Sequence, residues 1–150
     1  MSLIAENRGE VIKLKIPSRP VFIKKTRQVI DEICARSGFS EKKTQELKLA
    51  INEAIANIIQ HAYENDPDQT IYLYFLILPE RVEVILRDFG KKPQNGNPKS
   101  RSLDDLKDKG LGIFFMEKYV DFMNFSFSDE IGNQLKFIKY KHPGANTLQN

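Results

Sequence analysis

The chain has 150 residues, the length of one domain, and 41% of them are hydrophobic, ten being Phe, which is enough for a core without disulfide or metal staples. Its 23 Lys and Arg stand among 20 Asp and Glu, giving a net charge of +3 with no concentrated basic stripe, so direct nucleic-acid binding is not indicated. The longest apolar runs, such as Ile71 to Leu78, are too short to cross a bilayer, and the opening MSLIAENRGE lacks an apolar signal core, so a cytoplasmic protein is expected.

Val11, Leu14 and Ile16 mark a short first strand that Pro17 closes. A helix follows from about Pro20 through Val29, Ile30, Ile33 and Cys34, and Ser37-Gly38 ends it, since Gly accepts the left-handed C′ position. Cys34 is the single cysteine, so it forms no intrachain disulfide, and within this helical pattern it reads as a small core residue. Ser40 is a good N-cap for a second, long helix with Glu41 in its first turn; this helix runs to about Tyr63, where the Asn65–Asp68 cluster stops it.

Thr70 to Leu78 and Arg81 to Arg87 then read as a hairpin about Pro79-Glu80, the second run setting Val82, Val84 and Leu86 against Arg81, Glu83 and Arg87. From Phe89 to Lys109 hydrophobic periodicity fades, with a capping-box hint at Ser102 and Asp105; a connection of this length is either a functional lid or disordered. Helical patterning returns from Gly110-Leu111-Gly112 to about Tyr119, and two β-like segments, Asp121 to Ser128 and Asn133 to Tyr140, close the chain. The order predicts an α+β two-layer sandwich: one mixed, mostly antiparallel sheet with helices on a single face, in a single domain over residues 1–150.

Three clusters bear chemistry. In the long helix Glu53, Asn57 and His61 are spaced four apart and form one stripe beside the core positions Leu47, Ile51, Ala54, Ile55, Ile58 and Ala62. An Asn carbonyl suits Mg²⁺, which takes few protein ligands beside phosphates and water, and a neighbouring Glu can orient or deprotonate a nucleophile. The same spacing also describes an ordinary solvated helix face. Arg87-Asp88-Phe89-Gly90 ends a strand; an ionised Asp accepts from an adenine amino group, and Gly90 allows a flat base to approach. A plain strand-to-turn junction uses the same residues. Asp-Phe-Gly is not a eukaryotic-type kinase signature here, because no G-x-G-x-x-G loop or H-R-D loop accompanies it. Finally, Lys109-Gly110-Leu111-Gly112 opens a helix, where exposed N–H groups and the helix dipole favour phosphate; a flexible hinge is the plain reading.

Taken in order, E-x-x-x-N-x-x-x-H on a helix, a hairpin, D-x-G, a long connection and G-x-G before a helix resemble the Bergerat-fold ATP-binding domains. The local sequence is most similar to the anti-sigma-factor serine kinases, through Asn52-Glu53-Ala54, Asn57, His61-Ala62-Tyr63, Lys109-Gly-Leu-Gly-Ile, Met116-Glu117, Val120-Asp121 and Gly132-Asn133-x-Leu135, over about residues 10–141. The resemblance implies an ATP- and Mg²⁺-dependent serine/threonine kinase that phosphorylates an anti-sigma-factor antagonist, with a sigma factor as a second partner and a homodimer as the working state. It assigns Glu53 as general base, Asn57 as Mg²⁺ ligand, Asp88 and Gly90 as adenine-reading residues, and Lys109, Gly110, Leu111 and Gly112 as the phosphate-closing segment, and it leaves His61 structural or near the lid hinge rather than catalytic. The alternative is a non-catalytic module of the same fold that exchanges partners with nucleotide; loss of the Glu would mark it, and Glu53 is present. Two positions depart from the pattern: Lys92, where many such domains carry a further Gly, and Asn133, where relatives often carry a Thr that reaches the nucleotide.

Overall fold

The computed structural model describes residues 9–92 and 111–142. The predicted turn at Ser102–Asp105, and with it Lys109 and Gly110, lies outside the described residues.

Strand β1 (Glu10–Pro17) leads into helices α1 (Val21–Ser37) and α2 (Glu41–Asn57), followed by a π-helical turn (Ile58–Ala62). Strands β2 (Thr70–Ile77) and β3 (Arg81–Asp88) form the expected hairpin, and α3 (Leu111–Tyr119), β4 (Phe122–Ser128) and β5 (Gly132–Tyr140) complete the chain. Helix ends follow the local chemistry. Gly38 takes φ 79° beyond α1, where the Phe39 N–H reaches the Cys34 carbonyl at 3.0 Å. The Ser40 hydroxyl accepts from the Lys43 N–H at 3.2 Å to start α2.

The five strands lie in the order β1-β2-β3-β5-β4, and all four pairings are antiparallel. The sheet is therefore not mixed as the element order had suggested. Two helices between β1 and β2 return the chain in the reverse direction. The single helix between β3 and β4 keeps those strands parallel to each other, but β5 lies between them, so no parallel pair is in contact.

Alternation along each strand turns one face toward the helices: Ile16 of β1, Ile71, Leu73 and Phe75 of β2, Val82, Val84 and Leu86 of β3, and Phe137 of β5 are all buried there. From the helices come Ile30, Ile33, Leu47, Ile51, Ile55 and Met116, also buried. Cys34 is fully buried in this core, and burial raises its thiol pKa, which fits the packing role read from its position.

Polar residues close both ends of the inner face. At one end Lys139, opposite Val82, sends its buried ammonium to the Tyr119 carbonyl at 2.6 Å and the Glu46 carboxylate at 3.4 Å, tying β5 to the end of α3 and to α2. Burial pulls the Lys139 pKa down, and Glu46 opposes the shift. Glu46→Gln is expected to lower stability by about 1–2 kcal/mol at neutral pH, because the buried ammonium loses the carboxylate charge that it faces. A Lys whose folded pKa is depressed sheds its proton earlier folded than unfolded, so stability recovers as pH rises from that folded pKa toward the ordinary Lys value. Denaturant melts across the alkaline range test this: a loss independent of pH contradicts it.

Candidate functional site

The opposite end of the inner face carries Asp88, paired in register with Asn133, and Asn133 in turn with Phe127. Asp88 is only 4% exposed although nothing in a strand-to-turn junction requires a buried acid. Its Oδ1 accepts from the Gly90 N–H at 2.9 Å and from Asn133 Nδ2 at 2.8 Å. Burial nevertheless raises its pKa, against the lowering effect of those two bonds. Both donors go to Oδ1, which leaves Oδ2 with neither of them. A carboxylate held this way is an acceptor pre-aimed at a donor group.

The long helix of the sequence reading is in fact α-helical only to Asn57 and then widens into the π turn. The widening has a partner across the fold. The Ala62 carbonyl accepts from the Lys91 N–H at 2.7 Å, and the Tyr63 hydroxyl accepts from the Phe89 N–H at 2.9 Å while donating to the Thr70 carbonyl at 2.7 Å. The end of the helix bearing Glu53 and Asn57 is thus bonded to the segment that follows Asp88. A π turn within a helix is frequent where a site needs a carbonyl re-aimed.

Gly90 is needed for that contact. A Cβ built on it would stand 2.3 Å from the Ala62 carbonyl oxygen, so any side chain there would force the backbone of one element away from the other. Gly132 is bound twice over, by φ +73° and by the Asp88 carbonyl 2.4 Å from a Cβ in its place. Gly90→Ala and Gly132→Ala are each expected to cost about 2–4 kcal/mol, measured by denaturant unfolding. A change below about 0.5 kcal/mol would show that the two elements do not abut.

Gly112 differs from both. A Cβ on it would meet Glu53 Oε2 at 2.8 Å and the Asn57 side-chain amide at 3.5 and 3.8 Å. These are the ends of side chains, so the bare first turn of α3 gives room to the site rather than to the backbone. Glu53 and Asn57 are half-buried and converge on Gly112. Leu111 opens α3, while Lys109 and Gly110 precede the described residues.

Among the described residues no cluster of three or more His, Cys, Asp or Glu side chains is placed to hold a metal alone. One amide oxygen beside one carboxylate would suit a Mg²⁺ carried in with phosphates and water rather than an ion caged by protein alone.

The sequence reading noted Asn133 as a departure but did not see that it bonds Asp88, and it missed Tyr63 as a brace. Register could have revealed the first, since Asp88 and Asn133 each end an alternating strand on its inner face; nothing in the local sequence points to the second.

A two-layer α+β sandwich with an acid at the end of a central strand and an Asn-bearing helix across from a glycine-opened helix defines a histidine kinase-like ATPase architecture. The family model for the histidine kinase-like ATPase domain matches residues 16–139, and the chain belongs to that family. Within it, the chain is similar to the serine-protein kinase RsbW of Bacillus subtilis, 31% identical over 124 residues that cover 77% of this chain and 78% of that protein. It is also similar to RsbW of Oceanobacillus iheyensis, 27% identical over 139 residues and 87% of each chain. A solved structure of the RsbU and RsbW domains of a Mycobacterium tuberculosis protein shares the fold, with a TM-score of 0.65 at 14% identity, covering 89% of this chain and 33% of that one. The resemblance to the anti-sigma-factor serine kinases is borne out.

Proposed function

We propose that the protein is an ATP-dependent serine/threonine kinase that acts as an anti-sigma factor and phosphorylates an anti-sigma-factor antagonist. The observation that carries this reading is the convergence of Glu53 and Asn57 on the bare first turn of α3. In this reading Asp88 takes the 6-amino group of adenine and Asn57 supplies an oxygen to Mg²⁺. The α3 opening, with Lys109 and Gly110 before it, takes the phosphates, and Glu53 receives the proton of the attacking serine. When bound, Mg²⁺ neutralises charge on the transferring phosphoryl group, which is most of what such a transfer needs.

The kinase names of the relatives support the same activity. No helix among the described residues is long and apolar enough to cross a membrane, and we place the protein in the cytoplasm, as a homodimer. A sigma factor and the antagonist compete for it, with nucleotide setting the preference between them.

The experiment is transfer of radiolabelled phosphate from ATP to serine-bearing candidate antagonists of the same organism. Label on a single serine of one of them is expected. ATP binding with no transfer to any antagonist that forms a complex with the protein contradicts a kinase and leaves the partner-exchange module.

A further inference from the structure

We propose that Asn133 is a positioning residue that gives the base site its preference for a 6-amino purine, acting through Asp88 rather than on the reacting groups. The proposal rests on the reading of Asp88 as the adenine acceptor.

Asn133 is buried at the end of β5, directly across from Asp88. Its Nδ2 faces three acceptors: Asp88 Oδ1 at 2.8 Å, the Lys91 carbonyl at 3.2 Å and the Gly90 carbonyl at 3.3 Å. The amide has one workable orientation, because turning it over would set Oδ1 against all three of them. Its donors are therefore committed inward. With the Gly90 N–H, one of them occupies Asp88 Oδ1 and holds the carboxylate so that Oδ2 is its remaining acceptor.

The other hydrogen is shared between the carbonyls of Gly90 and Lys91, the segment that also packs on Ala62. One side chain thus fixes the angle of the acid and the backbone beside it. Asn133 Oδ1 is buried with no hydrogen-bond partner among the described residues. An amide chosen to satisfy itself would not leave an acceptor so placed, whereas one kept for its two donors can. A threonine here has a single hydroxyl hydrogen, enough for Asp88 or for one carbonyl but not for both.

The test compares ATP with purine riboside triphosphate, which lacks only the 6-amino group, by calorimetric titration of the full chain. The wild-type protein is expected to prefer ATP by about 30-fold. In Asn133→Ala the preference falls about tenfold, because the untethered carboxylate meets the amino group at a poor angle. Asn133→Thr, with one donor, is expected between the two, and it decides the matter if the alanine variant does not fold. Combining Asn133→Ala with Asp88→Asn should change the preference no further than Asp88→Asn alone.

A preference unchanged in both single variants, whether or not both nucleotides weaken together, overturns the positioning role and leaves a purely structural amide. A wild-type protein that binds both nucleotides equally overturns the adenine reading itself.

Discussion

Asp88→Asn is expected to leave the protein as stable as before or more so, while weakening ATP binding by about 100-fold. The two halves of this result come from the same hydrogen bonds. Asp88 Oδ1 accepts from the Gly90 N–H and from Asn133 Nδ2, and an asparagine must put its oxygen where those donors are. Its NH₂ then points where Oδ2 had pointed, a donor facing the donor of adenine. Inosine triphosphate, whose 6-oxo group accepts, should lose less affinity than ATP.

The stability half follows from burial. Burial raises the Asp88 pKa, so the folded state holds this proton more tightly than the unfolded chain. The stability contributed by such a group is complete below the unfolded carboxylate pKa and is lost as pH rises through the folded one. At neutral pH the ionised side chain therefore costs the fold something, and the neutral amide removes that cost. Thermal melts at neutral and acid pH should show the variant gaining on the wild type as pH rises. A variant that melts lower at neutral pH, or that keeps ATP affinity, contradicts the assignment.

The second large effect is expected at Glu53. Glu53→Gln should retain ATP affinity within about threefold and lose phosphotransfer by about a thousandfold, the range associated with a missing general base. The carboxylate sits beside Asn57 under Gly112, on a helix whose core face is occupied separately by Ile51, Ala54 and Ile55. It is half-buried and not part of the hydrophobic core, so the amide should leave the fold intact. Isothermal titration and a transfer assay on the same preparation separate the two quantities. Equal transfer by variant and wild type would remove Glu53 from the chemistry, and loss of binding along with transfer would make it a structural member of the site.

Much of this is legible in the sequence, for physical reasons. The strands could be read because inner and outer residues alternate, as in Val82, Val84 and Leu86. Helix ends could be read because Ser40 and Gly38 carry local capping chemistry. Glu53 and Asn57 belong to one helix stripe and Gly112 to a separate motif, and only the fold brings them to one place.

What could not be read depends on neighbours distant in sequence. The insertion of β5 between β3 and β4 makes the sheet wholly antiparallel, and no local pattern records strand order. The π turn after Asn57 belongs with the Lys91 N–H, 29 residues after Ala62, so helical periodicity alone ran the helix on to Tyr63. Gly90, read as the glycine beneath the base, also carries a packing constraint, because the place of a Cβ on it is filled by the Ala62 carbonyl. Asn133 looked like a weakened contact when seen one residue at a time; paired with Asp88 it is part of the acceptor's mounting.

The central claim is that Asp88, Asn57 and the opening of α3 form one site for Mg-ATP. Calorimetric titration of the wild-type protein with ATP and with ADP, each with and without Mg²⁺, tests it most directly. The account predicts one site per chain, tighter for ATP when Mg²⁺ is present, with ADP gaining less from the ion. No heat of binding from either nucleotide under any of the four conditions, on protein shown to be folded by its melt, would contradict it.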